Sequence, residues 1–181
     1  MAWTAPRTWT DGELVSAAIM NPHVRDNQLA EGPHLIVRKT SDQSVTSSTA
    51  FVSDTALQLP VAANEVWLFR FILRWEAASA GDIQIAWSLP AGSQVDAGAS
   101  MPGDAIFSYQ SAWWRAIVTT DSAPLVFGGA GAGQVTMQFI DGVYTGAGTA
   151  GTLILRWTQG TSSATATKVL TNSTLWAVKL A

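Results

Sequence analysis

Between residues 66 and 75 every odd position is large and apolar: Trp67, Phe69, Phe71, Leu73 and Trp75. A repeat of two is what a half-buried β-strand requires, because successive side chains point to opposite faces. The even positions carry Val66, Leu68 and Ile72 among Arg70 and Arg74. The same alternation gathers Ile83, Ile85 and Trp87, then Val135, Met137 and Phe139, then Leu153, Leu155 and Trp157, and finally Trp176, Val178 and Leu180. Each set is expected to face a core. Further strands are expected near residues 35–40, 46–52, 113–119 and 164–170, with turns at Ala80-Gly81-Asp82, Leu89-Pro90-Ala91-Gly92, Asp141-Gly142 and residues 145–151. Many short strands at such spacing define a β-sandwich or barrel.

The first thirty residues follow a different rule. Thr10-Asp11-Gly12-Glu13 has the form of a capping box, and Leu14, Val15, Ala18 and Ile19 follow at helical spacing. Asn21-Pro22 is expected to end this helix and start a second. Gly32-Pro33 then punctuates the chain. The expectation is therefore an N-terminal arm over residues 1–33, with one or two short helices, and a β domain over residues 34–181. An arm of that size cannot bury its own apolar residues and needs a docking site.

Several even-face residues (Val66, Leu68, Ile72, Ile140, Ile154) are also apolar, which a monomer with one buried face per sheet does not need. They point to an oligomer. Of the nine tryptophans, Trp67, Trp75, Trp87, Trp157 and Trp176 are expected in the core. Trp113 and Trp114 are adjacent and cannot both face inward from one strand, so one is expected at a ligand or subunit contact.

Charge and composition exclude several functions. Only 13% of the 181 residues are charged while 48% are hydrophobic, the opposite of a disordered chain. A net charge of −3, with ten Lys and Arg scattered along the chain, leaves no basic surface for nucleic acid. Without cysteine there is no disulfide framework or thiol nucleophile. Residues 1–11 hold no apolar run of signal-peptide type, and the apolar block at 66–75 is too short to span a bilayer. The expectation is a protein without membrane insertion.

Candidate chemistry is sparse. His23 and His34 have no partners at ligand spacing, so no metal or other cofactor is expected. There is no Gly-x-Ser-x-Gly elbow. Glu65, Glu76, Asp82 and Asp141 are the carboxylates near strand ends from which a glycosidase pair could be drawn. Gly128 to Gly133 is glycine-rich but is followed by a strand pattern, and reads as a flexible inter-strand loop rather than a phosphate cradle.

Two stretches carry a family resemblance. The opening, Trp3-Thr4-Ala5-Pro6-Arg7-Thr8-Trp9 through Gly12-Glu13-Leu14-Val15 to Asn21-Pro22-His23-Val24-Arg25-Asp26-Asn27, resembles that of many small bacteriophage and prophage virion proteins. Their pattern is W-T-x-P-R-T-W-x-x-G-E-L-V-T-A-x-x-[LM]-N-x-H-[VI]-R-D-N. The segments at 54–64, 80–83 and 151–167 are similar to the β-rich domain found behind that opening.

The resemblance implies a non-enzymatic virion structural protein: an attachment segment followed by a jelly-roll-like, trimeric head. Such modules are tail-fibre or tail-tip components or capsid decorations. On this reading Trp3, Trp9, Leu14, Ile19 and Val24 enter a groove on another phage structural protein of the capsid or tail, and Arg7, Arg25 and Asp26 set register. The alternative is a receptor-binding module of the tail, in which Trp113 or Trp114 and nearby loops grip a host surface glycan.

Overall fold

The structure, a computed structural model, describes residues 7–25, 34–79, 81–102, 111–118 and 124–181; side chains are described throughout these ranges except at 25, 100–102 and 111–118. The chain forms two compact units, Met1–His34 and Leu35–Ala181.

In the first unit a helical turn, α1 (Ala17–Met20), runs directly into a π-helical turn over Asn21–Arg25. The expected capping box is instead a β-turn. The Glu13 N–H donates to the Thr10 carbonyl, and Gly12 lies at φ +75°, the left-handed third position of a type II turn. Glu13 still reaches back to the Thr10 N–H, but Leu14 and Val15 precede the helix. The expected break at Asn21-Pro22 is also absent. Asn21 remains right-handed helical, and its N–H donates to the Ala17 carbonyl. Pro22 lacks an N–H, and its ring crowds the carbonyl four residues back, so a widened turn accommodates it without ending the helix.

The second unit is a two-sheet antiparallel sandwich. Its strands are β1 (His34–Arg38), β2 (Gln43–Val45), β3 (Val52–Val61), β4 (Val66–Glu76), β5 (Ile83–Ser88), β6 (Gln94–Pro102), β7 (Ser111–Val118), β8 (Leu125–Phe127), β9 (Thr136–Thr145), β10 (Gly151–Gln159), β11 (Thr167–Val169) and β12 (Thr174–Lys179). Sheet A runs β1-β12-β4-β9-β6-β7, with β11 between β4 and β2; sheet B runs β3-β10-β5-β8. Take β1 with β2, and β11 with β12, as interrupted single strands, and set the β6–β7 hairpin aside. Sheet A then holds the first, eighth, third and sixth strands in that order, and sheet B the second, seventh, fourth and fifth. This is the winding of a jelly roll, two Greek keys wrapped on one core. The β6–β7 hairpin extends sheet A beyond β9.

The core lies between the sheets. From β4 come Phe69, Phe71, Leu73 and Trp75, all buried; Ile83, Ile85 and Trp87 of β5 and Leu153, Leu155 and Trp157 of β10 face them. Phe69 meets Trp87 across the sandwich with ring centroids 6.5 Å apart. Each buried Leu, Ile or Phe contributes about 1.5–3 kcal/mol.

Several sequence expectations fail here. Asp141-Gly142 is not a turn but the middle of β9, paired to Arg70 and Phe69. A side chain at Gly142 would run into the Phe69 ring and the Asp96 carbonyl. Residues 46–51 form no strand. Ser47 is left-handed at φ 51°, and the segment is a loop laid along sheet B: Thr158 Oγ1 donates to the Ser48 carbonyl, and the Arg156 guanidinium donates to the Phe51 carbonyl and stacks on its ring. The true strand, β3, begins where that reading ended. The glycine-rich loop is pinned: Gly128 and Gly129 are buried, Gly129 N–H donates to Asp82, and Gly131 N–H to the Ala77 carbonyl.

Candidate functional site: an exposed arm and an apolar sheet face

In the arm unit, Arg7 pairs with Glu13 and lies over the Trp9 ring at 4.9 Å. The turn at Thr10–Glu13 brings these three side chains together, because it reverses the chain between residues 9 and 13. The resulting knot presents Trp9 45% exposed. Beyond it Leu14 is 85% exposed, and Val15, Met20 and Val24 are exposed as well. Ile19 is half-buried. Of the anchoring residues expected from sequence, the structure therefore links Arg7 and Trp9 in one cluster and leaves Leu14 and Val24 open to solvent. Trp3 and Asp26 lie outside the described residues, as does the side chain of Arg25.

In the β unit, the outer face of sheet A carries more apolar residues than the surplus expected from sequence. The sets Val135, Met137, Phe139 and Trp176, Val178, Leu180, expected in the core, lie on the outside. Antiparallel register explains the inversion. Odd positions of β4 point inward, and Phe71 stands opposite Ile140 and Leu175, Phe69 opposite Gly142 and Ala177. Ile140, Tyr144, Leu175 and Ala177 are accordingly buried. Their neighbours must face out: Phe139 (42% exposed) beside Ile72, Met137 (54%) beside Arg74, and Trp176 (37%) beside Arg70. Trp176 is thus not core. Of the even-face residues expected to be surplus, Leu68 is exposed and Ile72 half-exposed on this face, whereas Ile140 belongs to the core. Among the apolar side chains of this face stands one ion pair, Arg70 to Asp141, with Nε–Oδ1 2.6 Å and Nη2–Oδ2 3.0 Å. The Arg70 guanidinium also lies over the Phe139 ring at 6.0 Å. The hydrogen bonds and charge of Asp141 raise the Arg70 pKa above its ordinary value.

The carboxylates considered for catalysis are engaged structurally. Glu65 accepts from the Ala62 N–H, the Trp67 indole and Lys179. Partial burial pushes its pKa up, but these hydrogen bonds outweigh it and hold the carboxyl below its ordinary value. Glu76 pairs with Lys168 at 2.6 Å, Asp82 accepts from Gly129, and Asp141 is held by Arg70. The most buried charge pair is Lys39 with Asp54 at 2.9 Å. Asp54 Oδ1 also accepts from the Ala56 and Leu57 N–H groups, and Lys39 donates to Gln43. Among the described residues, no three His, Asp or Glu side chains gather as a metal site, and no helix is long and apolar enough to cross a membrane. The backbone of Trp113 and Trp114 lies in β7, opposite Ser100 and Ala99; their side chains lie outside the described residues.

No family model matches the chain, and no curated protein matches it either. Among solved structures it is similar to the tripod (BppUct-A-L) from the baseplate of bacteriophage Tuc2009, at 8% identity and a TM-score of 0.39, covering 99% of this chain and 75% of that one. It is also similar to infectious bursal disease virus, Gx strain, at 9% identity and a TM-score of 0.21, covering 81% of this chain and 38% of that one. Likenesses at this level define no family. The jelly-roll class rests on the strand order of this chain.

Proposed function

We propose that the protein is a non-enzymatic structural component of a bacteriophage virion, held on the particle by its N-terminal arm and displaying a trimeric jelly-roll domain as a capsid decoration or a tail-fibre or tail-tip part. The observation that carries this reading is the arm itself. Five apolar side chains, Trp9, Leu14, Val15, Met20 and Val24, are exposed on a unit whose described residues include fewer than ten of helix. Exposed apolar groups at this density on a short segment belong to a docking element. The Arg7–Trp9–Glu13 knot fixes the first of them before binding, which lowers the ordering cost of docking. Three arms on one trimer bind by avidity even where each is weak. The sequence resemblance of residues 3–27 to virion proteins supplies the identity of the partner, another capsid or tail protein.

The double variant Trp3→Ala/Trp9→Ala tests this. It should leave the β domain folded and remove the protein from purified particles; normal incorporation would overturn the anchoring. Gold-labelled antibody to residues 34–181 then distinguishes a head decoration from a tail component, and absence of label from every particle would end the virion reading.

A further inference from the structure

The outer face of sheet A presents an apolar carpet across four neighbouring strands: Ile36 of β1 (67% exposed), Trp176 of β12, Leu68 and Ile72 of β4, and Met137 and Phe139 of β9. Four strands about 4.8 Å apart and about seven residues long give it roughly 450 Å². That is within the largest patches of ordinary monomers, about 300–600 Å², and fits the apolar centre of a standard interface of about 800 Å² per partner. We infer that this face joins copies of the chain to one another. The inference deepens the trimer in the proposed function and rests on that reading only for the place of the assembly in a particle.

Three observations select a second copy as the occupant. The first is charge. Arg70 and Asp141, the ion pair on the face, neutralise each other in a two-bond pair, so the face asks for no counter-charge from a partner. The second is its rim. At the Glu76 end of β4 the pair Glu76–Lys168 stands on the outer side and carries both signs, so the rim there asks for no net counter-charge either. The pair Glu65–Lys179 at the other end lies on the inner side of the sheet, beside Trp67. The third is the condition of the edges. β3, an edge of sheet B, is interrupted where Asp54 turns inward and its carboxylate draws in the Ala56 and Leu57 N–H groups, so that pairing to β10 jumps from Gln58 to Ser53. It also holds Pro60. β8, the other edge of sheet B, has three residues, and β1, an edge of sheet A, has five; β7, at the far edge of sheet A, has eight. Inward charge, bulges, proline and shortness all discourage strand addition. At β3, β8 and β1 the edges are closed to strand addition, which favours the face.

Sedimentation of the full chain over a wide concentration range tests the proposal. The wild type should have twice or three times the chain mass. Leu68→Asp/Phe139→Asp should weaken association by about a hundredfold or more, the loss of two anchors at an interface centre, with its unfolding midpoint as a monomer little changed. Met137→Lys gives the same readout should the double variant fail to fold. Val126→Asp, exposed on sheet B, should assemble as the wild type does. A wild type that is monomeric throughout overturns the proposal, as does assembly unaffected by the sheet A variants. Assembly lost in Trp9→Asp but kept in Met137→Lys would overturn it in favour of the arm. Host cell-wall fragments that quench tryptophan emission of a monomeric wild type would overturn it in favour of a glycan surface. Particle incorporation is read separately, so a chain that self-associates but enters no particle fails the virion reading and leaves this interface standing.

Discussion

The two outer faces of the sandwich are treated oppositely. On sheet B the face is built from Gln58, Gln84, Ser88, Thr152, Arg156 and Thr158, with few apolar residues among them, and the chain's own loop at 46–51 lies across part of it. Thr158 and Ala86 are fully buried there, although they point away from the core. On sheet A the outward positions are as apolar as many inward ones, and they remain exposed. One face is polar and partly covered by the chain's own loop; the other is left apolar and open. The difference teaches that surplus apolar residues in an alternating strand need not signal a misread core. They can mark the surface through which a domain is assembled.

The largest effect should come from comparing the inside and outside of the same sheet. Phe69→Ala removes a ring packed on Phe71 and Trp87 and should destabilise the domain by about 4 kcal/mol in urea unfolding. Phe139→Ala, on the outer face and 42% exposed, should cost the monomer less than about 1 kcal/mol. Similar losses for both would remove the distinction between the faces. Next, Lys39→Met leaves Asp54 buried and uncompensated at the sheet B edge and should cost about 3 kcal/mol; adding Asp54→Leu should recover much of it. A change well below 1 kcal/mol would mean that the pair is not closed as described.

Phe51→Ala tests the cover on sheet B. Losing the ring under Arg156 should lower stability by about 1 kcal/mol and raise amide exchange at Ser48 and Ala50, without altering self-association. The smallest effect is electrostatic. Glu65 has a folded pKa below its ordinary 4.5, so its contribution is fully present above that value and is lost as pH falls through the folded pKa. Wild type and Glu65→Gln should therefore differ in melting temperature at neutral pH and converge in acid; a constant difference would exclude this carboxylate as the source.

Much of the fold was legible in the chain. The alternation at 66–75, 83–87 and 153–157 identified strands whose large residues are core, and the change of pattern after the first thirty residues falls close to where the chain divides into two compact units. The exposure of Trp9, Leu14 and Val24 was legible too, because the short segment around them offers little to bury them. What was missed has local physical causes. Thr10-Asp11-Gly12-Glu13 suits both a capping box and a glycine turn, and Gly12 took the left-handed position that only the turn uses. Asp141-Gly142 has turn composition, yet β4 needs a residue without a side chain opposite Phe69.

Period two by itself determines that Val135, Met137 and Phe139 share one side of a strand, as do Trp176, Val178 and Leu180. It carries no information about which side is inward. That was decided by β4, whose odd residues fill the core and whose hydrogen-bonded register with β9 and β12 sets the parity of both neighbours. Local alternation is a property of each strand alone, whereas facing is a property of the pair, and only the tertiary structure contains the pair.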